Sequence, residues 1–111
     1  MQRDFTYVTD IVEGISLSLK HSSAYDVYNL GNHNPVSLKV LLSHIEKITE
    51  IPNTLRFGPQ LKSDIPSTCA SIKKAHTELG YQPKIDILEG LKLYYEWLRK
   101  NPSYYDPTIP A

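Results

Sequence analysis

Cysteine is nearly absent from the sequence, and so are the residue spacings that bind metals. Cys69 is the one cysteine in 111 residues, so an internal disulfide is excluded. No spacing of cysteine and histidine fits a structural zinc site, and the four histidines include neither an HExxH motif nor a pair four residues apart. The sequence therefore predicts no metal site.

Excess charge and long apolar runs are also lacking. The 12 Lys and Arg residues balance 12 Asp and Glu residues, whereas nucleic acids and anionic membranes bind clustered basic residues. The apolar runs fall far short of the roughly 20 residues of a membrane span, and residues 1–5 lack the apolar core of a signal peptide. We expect a cytoplasmic protein with no nucleic-acid partner and no membrane partner.

The common catalytic motifs are missing as well. There is no G-x-G-x-x-G, G-x-x-x-x-G-K-[ST] or G-x-S-x-G motif, so phosphate-binding loops and nucleophile elbows are not encoded. No Tyr-x-x-x-Lys pair occurs, since Arg99 follows Tyr95 and Leu98 follows Tyr94 at that spacing. A dinucleotide-dependent enzyme with its own substrate domain needs more than about 200 residues. We therefore expect these 111 residues to hold no catalytic residue and to bind no cofactor alone.

The residues that are present alternate between strand-like and helix-like patterns. Residues 4–8 are aromatic and β-branched, which favours an extended segment. Asp10 and Glu13 have the spacing of a capping box, which predicts a helix over about residues 10–20. Residues 25–30 alternate as a strand does, and the Gly and Asn residues that follow favour a loop.

The second half of the sequence predicts three further helices. Ser37 is a suitable N-cap for a helix ending at Thr49, residues 54–57 favour a short strand, and residues 58–68 favour a long irregular loop. The other two helices are predicted from their boundary residues: Ser71 as N-cap and Gly80 after the last turn of one, Asp86 and Glu89 as a capping box of the other, which ends before Asn101. The fold class is α/β, with about four helices and two or three short strands.

Two places in the sequence are suited to a polar ligand. Arg3, beside Asp4 at the start of an extended segment, can present a planar fork to a phosphate; the alternative is an exposed arginine near a chain end. Residues 60–64 place the Lys62 cation and the Asp64 carboxylate within five residues, although a solvated loop explains them equally.

Two further features have structural interpretations. Cys69 is interpreted as a small buried apolar residue. The aromatic residues Tyr94, Tyr95 and Trp97 would form a nucleic-acid stacking platform only with basic residues on the same face, so we interpret them as packing residues of a helix.

Five motifs follow one another in a recognisable order. They are Arg-Asp-Phe-Thr-Tyr-Val-Thr-Asp-Ile-Val-Glu-Gly at 3–14, Val-Tyr-Asn-Leu-Gly-Asn at 27–32, Asp-Ile-Pro-Ser-Thr at 64–68, Leu-Gly-Tyr-Gln-Pro at 79–83 and Leu-Glu-Gly-Leu at 88–91. In this order they resemble the carboxy-terminal part of the NAD-dependent epimerase/dehydratase family, an extended short-chain dehydrogenase/reductase group. The likeness is greatest to the UDP-glucuronate and UDP-glucose 4-epimerases.

The resemblance implies a fold and a function. Residues 1–31 would be a strand-helix-strand element at the edge of a Rossmann-like NAD-binding sheet, residues 32–102 a small nucleotide-sugar lobe, and residues 103–111 a tail. In this family the amino-terminal domain binds NAD and carries the Tyr-x-x-x-Lys chemistry. The resemblance therefore implies that the chain binds a UDP-sugar, that NAD belongs to the full-length family, and that the missing amino-terminal domain is a partner.

The resemblance also implies roles for single residues. Arg3 would bind the UDP diphosphate or ribose, and Asp64 matches the acidic residue of a loop that lies over the nucleotide. Lys62 follows Leu61, where the family often has a phosphate-binding arginine, and Ser63 stands where it usually has glycine.

Two alternative functions remain open at this point. A non-catalytic interaction module or degenerate gene product could dimerise through exposed Leu and Tyr helix faces and bind no ligand. The same region of a nucleotide-sugar dehydratase or decarboxylase would differ mainly in the catalytic half, which these residues do not include.

Overall fold

The computed structural model describes residues 1–23, 25–56, 58–59 and 64–104. In chain order the elements are β1 (Gln2–Arg3), α1 (Val8–Lys20), β2 (Val36–Ser37), α2 (Leu38–Thr49), α3 (Lys73–Leu79), α4 (Ile87–Lys100) and a 3₁₀ turn (Pro102–Tyr104). Over these ranges the four helices and the two-stranded sheet confirm the predicted α/β class. No helix in this part of the chain is long and apolar enough to cross a bilayer.

The short strand β1 joins three separate parts of the chain. It pairs antiparallel with β2, with Gln2 opposite Ser37. On its other side Gln2 forms a parallel bridge to Ser67, and the Gln2 amide donates to the Pro66 carbonyl at 2.9 Å. The start of the chain is therefore held between β2 and residues 66–68.

The predicted capping box at the start of α1 is wrong. The helix begins at Val8, and its N-cap makes no side-chain hydrogen bond among the described residues. Asp10 lies inside the helix with 2 % of its surface exposed, and its carboxylate accepts from the amides of Lys84 at 3.2 Å and Ile85 at 3.1 Å. The Asp10 carboxylate therefore binds amides that are distant in sequence and does not cap the start of α1 as the local pattern predicts.

Two other caps are confirmed. The Ser37 hydroxyl accepts from the Val40 amide at 3.3 Å, and α2 ends at Thr49 as predicted. The Asp86 carboxylate accepts from the Glu89 amide at 2.8 Å at the start of α4.

The short helix α3 ends as predicted but begins differently. Gly80 has a φ of 71° at its C-terminal end, in the left-handed region that glycine adopts without steric cost. The N-cap is Ile72, with no side-chain cap in the described structure. The prediction that Ser71 caps this helix is therefore wrong.

Three segments predicted to be strand-like, residues 4–8, 25–30 and 54–57, form no strand in their described parts. Residues 4–7 and 25–30 are outside any strand, and the strand found within residues 1–31 is β1, Gln2–Arg3, which lies just before the predicted extended segment. A strand needs a neighbour that satisfies its backbone groups, and no described segment pairs with residues 25–30. Residues 54–56 are likewise irregular, and Phe57 lies outside the described residues.

A small core forms where α1 meets α3. Its buried members are Ala75, Leu79 and Tyr81. The Tyr81 hydroxyl donates to the Gly31 carbonyl at 2.9 Å. Burial, with the negative charge of Asp10 nearby, raises the pKa of the Tyr81 phenol.

Candidate functional site

The strand β1 and the segment that follows it in space form the candidate site. We call Arg3, Asp4 and residues 64–70 the strand-loop site. In addition to the Gln2 bridge, the Thr68 amide donates to the Gln2 carbonyl at 3.3 Å. The chain thus brings its first residues against a segment more than 60 positions later.

Arg3 holds one end of this segment. Its Nη1 donates to the Ile65 carbonyl at 2.7 Å and to the Gln2 carbonyl at 2.8 Å, and the side chain is half-buried. A guanidinium carries five N–H donors in a planar fork. Because both contacts involve Nη1, the other donors have no partner among the described residues. Arg3 is therefore not a free residue at a chain end, and it retains donors for an anion.

Asp64 adjoins the residue whose carbonyl Arg3 holds. It is half-buried, and it makes no hydrogen bond within the described part of the chain. Arg3 and Asp64, which the sequence singled out separately, thus belong to one site. Lys62, with Leu61 and Ser63, lies outside the described residues.

Asp4 is the residue of this site that the sequence did not identify as functional. Its Oδ2 accepts from the amides of Ala70 at 2.9 Å and His33 at 3.1 Å, and its Oδ1 accepts from the Asn34 amide at 3.2 Å. The signal that could have indicated it is Gly31, where a Cβ would lie 2.9 Å from Asp4 Oδ2 and 2.3 Å from the Ala70 Cβ. Glycine is needed there because the loop approaches this carboxylate so closely.

Cys69 is exposed, not buried as the sequence suggested. Its Sγ lies 3.5 Å from Nδ1 of His33, and that nitrogen is 2.6 Å from the Ala70 carbonyl. A carbonyl oxygen only accepts, so Nδ1 carries the proton in this contact. The His33 imidazole therefore donates to the backbone of residue 70 and stabilises this segment. Because Nδ1 is protonated, it cannot accept a proton from the Cys69 thiol.

A second polar cluster lies away from the strand-loop site. The Tyr28 hydroxyl is 2.9 Å from Asp26 Oδ2 and 2.8 Å from Glu78 Oε2. Hydrogen bonds from Lys74 and then Tyr28 lower the pKa of Asp26 to about 2, while partial burial and the Glu78 contact raise the pKa of Tyr28.

Metal binding at this cluster is not supported. Ligand atoms of His21, Asp26 and Glu78 lie within 4.8 Å of one another, all on exposed residues. The Lys74 ammonium already pairs with Asp26 and competes with a cation for that carboxylate. We assign no metal to these groups.

The aromatic residues of α4 pack only in part. Tyr95 is half-buried, but Tyr94 and Trp97 stay 55 % and 44 % exposed. Their rings stack on one another at 6.2 Å between centroids, and Tyr104 approaches Trp97 at 5.1 Å. The interpretation as helix packing residues is correct for Tyr95 and only partly correct for the other two.

Comparison with known proteins gives this geometry a context. An uncharacterized protein of Methanocaldococcus jannaschii is 38 % identical over 94 % of this chain and 32 % of its own length. UDP-glucuronate 4-epimerase of Thermodesulfobacterium geofontis is 36 % identical over 89 % of this chain and 31 % of its own. The chain is homologous to UDP-sugar 4-epimerases.

A solved structure agrees with the sequence comparison. UDP-glucuronic acid 4-epimerase from Bacillus cereus, in complex with UDP-glucuronic acid and NAD, superposes with a TM-score of 0.79 at 29 % identity, over 88 % of this chain and 32 % of that one. The resemblance to a carboxy-terminal part of the NAD-dependent epimerase/dehydratase family is thereby confirmed. The chain spans about a third of the length of these relatives. No protein-family model matches the sequence.

Proposed function

We propose that these residues form the UDP-sugar-binding, carboxy-terminal region of an NAD-dependent nucleotide-sugar 4-epimerase. The observation that carries the proposal is the Arg3 contact with Ile65, which places a partly available guanidinium against the Asp64 loop. A guanidinium fork matches the oxygen geometry of a phosphate. Two of the relatives described above are UDP-glucuronate 4-epimerases, which favours this reaction over a dehydration or a decarboxylation.

Each of the three residues predicted to bind the UDP-sugar has a separate role in this proposal. Arg3 binds the diphosphate or the ribose through the donors that Ile65 does not use. Asp64 accepts hydrogen bonds from hydroxyl or N–H groups of the nucleotide, since a carboxylate has only acceptor atoms. Lys62 adds a positive charge near the phosphates, as a point charge rather than a fork.

The proposal assigns neither NAD binding nor chemistry to the 111 residues themselves. They contain no glycine-rich phosphate loop and no Tyr-x-x-x-Lys pair, so they lack the groups that hold a dinucleotide or exchange a proton with a sugar. NAD is bound by solved relatives about three times as long. We expect the isolated residues to bind UDP-sugars without binding NAD and without turnover.

The outer face of α1 supports a cofactor-binding domain as a partner. This helix buries Asp10 and Gly14 but leaves four aliphatic residues at helical spacing between 49 % and 82 % exposed. They are Val8, Val12, Ile15 and Leu19. A contiguous exposed apolar face marks an interaction site, and the relatives have two thirds of their length beyond the matched part. We propose that an α/β NAD-binding domain covers this face.

Titration calorimetry tests the proposal directly. UDP and UDP-glucuronate are expected to give saturable binding to the 111-residue chain, while NAD gives none at the same concentrations. Light scattering on the same sample separates the alternative function. A stable dimer with no affinity for UDP would support a non-catalytic interaction module and overturn the proposal.

A further inference from the structure

We infer that Asp4 is a positioning residue that holds residues 64–70 in their nucleotide-binding conformation and thereby sets the UDP affinity of the strand-loop site. This inference rests on the proposed function, because it names the residue that prepares the same site. Asp4 is assigned no contact with the nucleotide.

The contacts of Asp4 join three segments of the chain. Its carboxylate accepts from the Ala70 amide at 2.9 Å on one side and from the amides of His33 and Asn34 at 3.1 and 3.2 Å on the other. Its own amide donates to the Thr68 hydroxyl at 3.2 Å. One residue thus fixes residues 68 and 70 against the turn at 33–34.

Two successive residues, Arg3 and Asp4, hydrogen-bond to opposite ends of the segment 64–70. Arg3 holds the Ile65 carbonyl, and Asp4 holds Thr68 and Ala70. Asp64 immediately precedes the first of these contacts. The geometry of Asp64 relative to Arg3 therefore depends on both residues, although only Arg3 and Asp64 are proposed to touch UDP.

The charge on Asp4 matters for this role. A carboxylate accepts at both oxygens, and here all three partners are backbone N–H donors. An amide in its place would turn an NH₂ group towards at least one of those donors. Bonds from N–H groups to a charged acceptor are stronger than neutral ones, so Asp4→Asn loses strength and geometry together while keeping the side-chain size.

Loss of the Asp4 hydrogen bonds reduces the fraction of molecules in which the strand-loop site can bind UDP. The apparent dissociation constant equals the intrinsic one divided by the competent fraction. If Asp4→Asn leaves the loop competent in about a tenth of the molecules, UDP binding weakens about tenfold. Excess UDP shifts the molecules back to the competent state, so the number of UDP molecules bound per chain at saturation is unchanged.

Asp10→Asn is the matched control. Asp10 also accepts from two backbone amides, those of Lys84 and Ile85, and is more buried than Asp4, but its partners lie outside the strand-loop site. Both variants are expected to lower thermal stability. Only Asp4→Asn is expected to change UDP affinity, with Asp10→Asn within about twofold of the parent chain at a temperature where circular dichroism shows all of them folded.

The test combines UDP calorimetry with amide hydrogen exchange. In Asp4→Asn the amides of Thr68 and Ala70 are expected to exchange faster than in Asp10→Asn, measured without ligand. Thr68→Val, which removes the acceptor of the Asp4 amide, provides a milder variant with a smaller loss in the same direction should Asp4→Asn fail to fold. Equal UDP affinity in the parent chain, Asp4→Asn and Thr68→Val overturns this role and leaves the proposed function intact. Absence of UDP binding by the parent chain overturns both.

Discussion

The guanidinium of Arg3 donates to the backbone carbonyl of Ile65 at 2.7 Å, although 62 positions separate the two residues in sequence. Two motifs that are remote in the chain are therefore one structural unit. The bond occupies a single nitrogen of Arg3 and leaves the other donors for a ligand. It also means that the orientation of Arg3 depends on the loop that carries Asp64.

Replacing Arg3 by lysine is expected to weaken UDP binding at least about fivefold, because an ammonium keeps the charge but not the planar fork. The free energy of unfolding should change little, since the contact lies at the surface. Calorimetric titration with UDP measures the effect. Arg99→Lys on α4 is the control, since Arg99 lies near the Tyr95 ring and belongs to another part of the molecule. Equal affinities of the two variants would contradict the role of Arg3.

Gly31→Ala is expected to destabilise the fold by about 1–3 kcal/mol, the usual cost of overpacking. The new Cβ would lie 2.3 Å from the Ala70 Cβ, so the strand-loop site must open to admit it. Urea denaturation measures the change. Gly58→Ala serves as the comparison because a Cβ there meets no atom of the described residues within 4 Å. Similar midpoints for both variants would show that the segment 64–70 does not pack against Gly31.

The buried phenol of Tyr81 makes the free energy of unfolding decrease at alkaline pH. Its pKa is raised above the usual 10.0 by burial and by the charge of Asp10. A raised pKa means that the folded state holds the proton more tightly, so this contribution is complete below about pH 10 and is lost as the pH rises further.

Tyr81→Phe should separate the contribution of the Tyr81 hydrogen bond from the pH dependence that its phenol causes. Near neutral pH it removes the hydrogen bond to Gly31 and costs about 1 kcal/mol. Above pH 10 its unfolding free energy should fall less steeply than that of the parent chain. Thermal unfolding between pH 7 and pH 11 provides the comparison, and parallel profiles would rule out the assignment to Tyr81.

The two candidate helix caps should differ sharply in their effect on stability. Asp86→Ala removes the acceptor of the Glu89 amide and is expected to cost about 1 kcal/mol. Ser71→Ala should stay within about 0.5 kcal/mol, because Ile72 occupies the N-cap of α3. Chemical denaturation of both variants shows whether Ser71 caps α3, as the local pattern predicts, or does not, as the structure shows. A large loss in Ser71→Ala would restore the sequence prediction.

The exposed face of α1 should contribute little to the stability of the isolated residues. Ile15→Ser is expected to stay within about 0.5 kcal/mol, since Ile15 is 49 % exposed. Leu79→Ala in the core should cost about 2–5 kcal/mol. Denaturation curves compare the two. A loss in Ile15→Ser as large as that in Leu79→Ala would show that this face is already packed and is not available to a cofactor domain.

Sequence patterns predicted the local features of the fold well and the remote ones poorly. The caps Ser37 and Asp86 act within three residues of their own position, so the local sequence contains what determines them. Asp10 has the same Asp-x-x-Glu pattern as Asp86, but amides more than 70 positions away take its carboxylate. Local spacing cannot reveal such a partner.

The candidate site was likewise predicted only in part. Arg3 and Asp64 stand out from their residue chemistry and from the family resemblance, and the structure places them in neighbouring segments; what they bind stays a prediction. Asp4 was missed because its partners lie 29, 30 and 66 positions away. The strand over residues 25–30 was wrong because alternation specifies a face but not a pairing partner.

Residue-resolved NMR during titration with UDP shows whether Arg3 and the segment 64–70 bind the nucleotide. We expect saturable shifts at the amides of Arg3 and of the non-proline residues in 64–70, and none at Asp26, Tyr28 or Glu78 or on addition of NAD. The absence of shifts, or shifts confined to residues outside the strand-loop site, would contradict this binding.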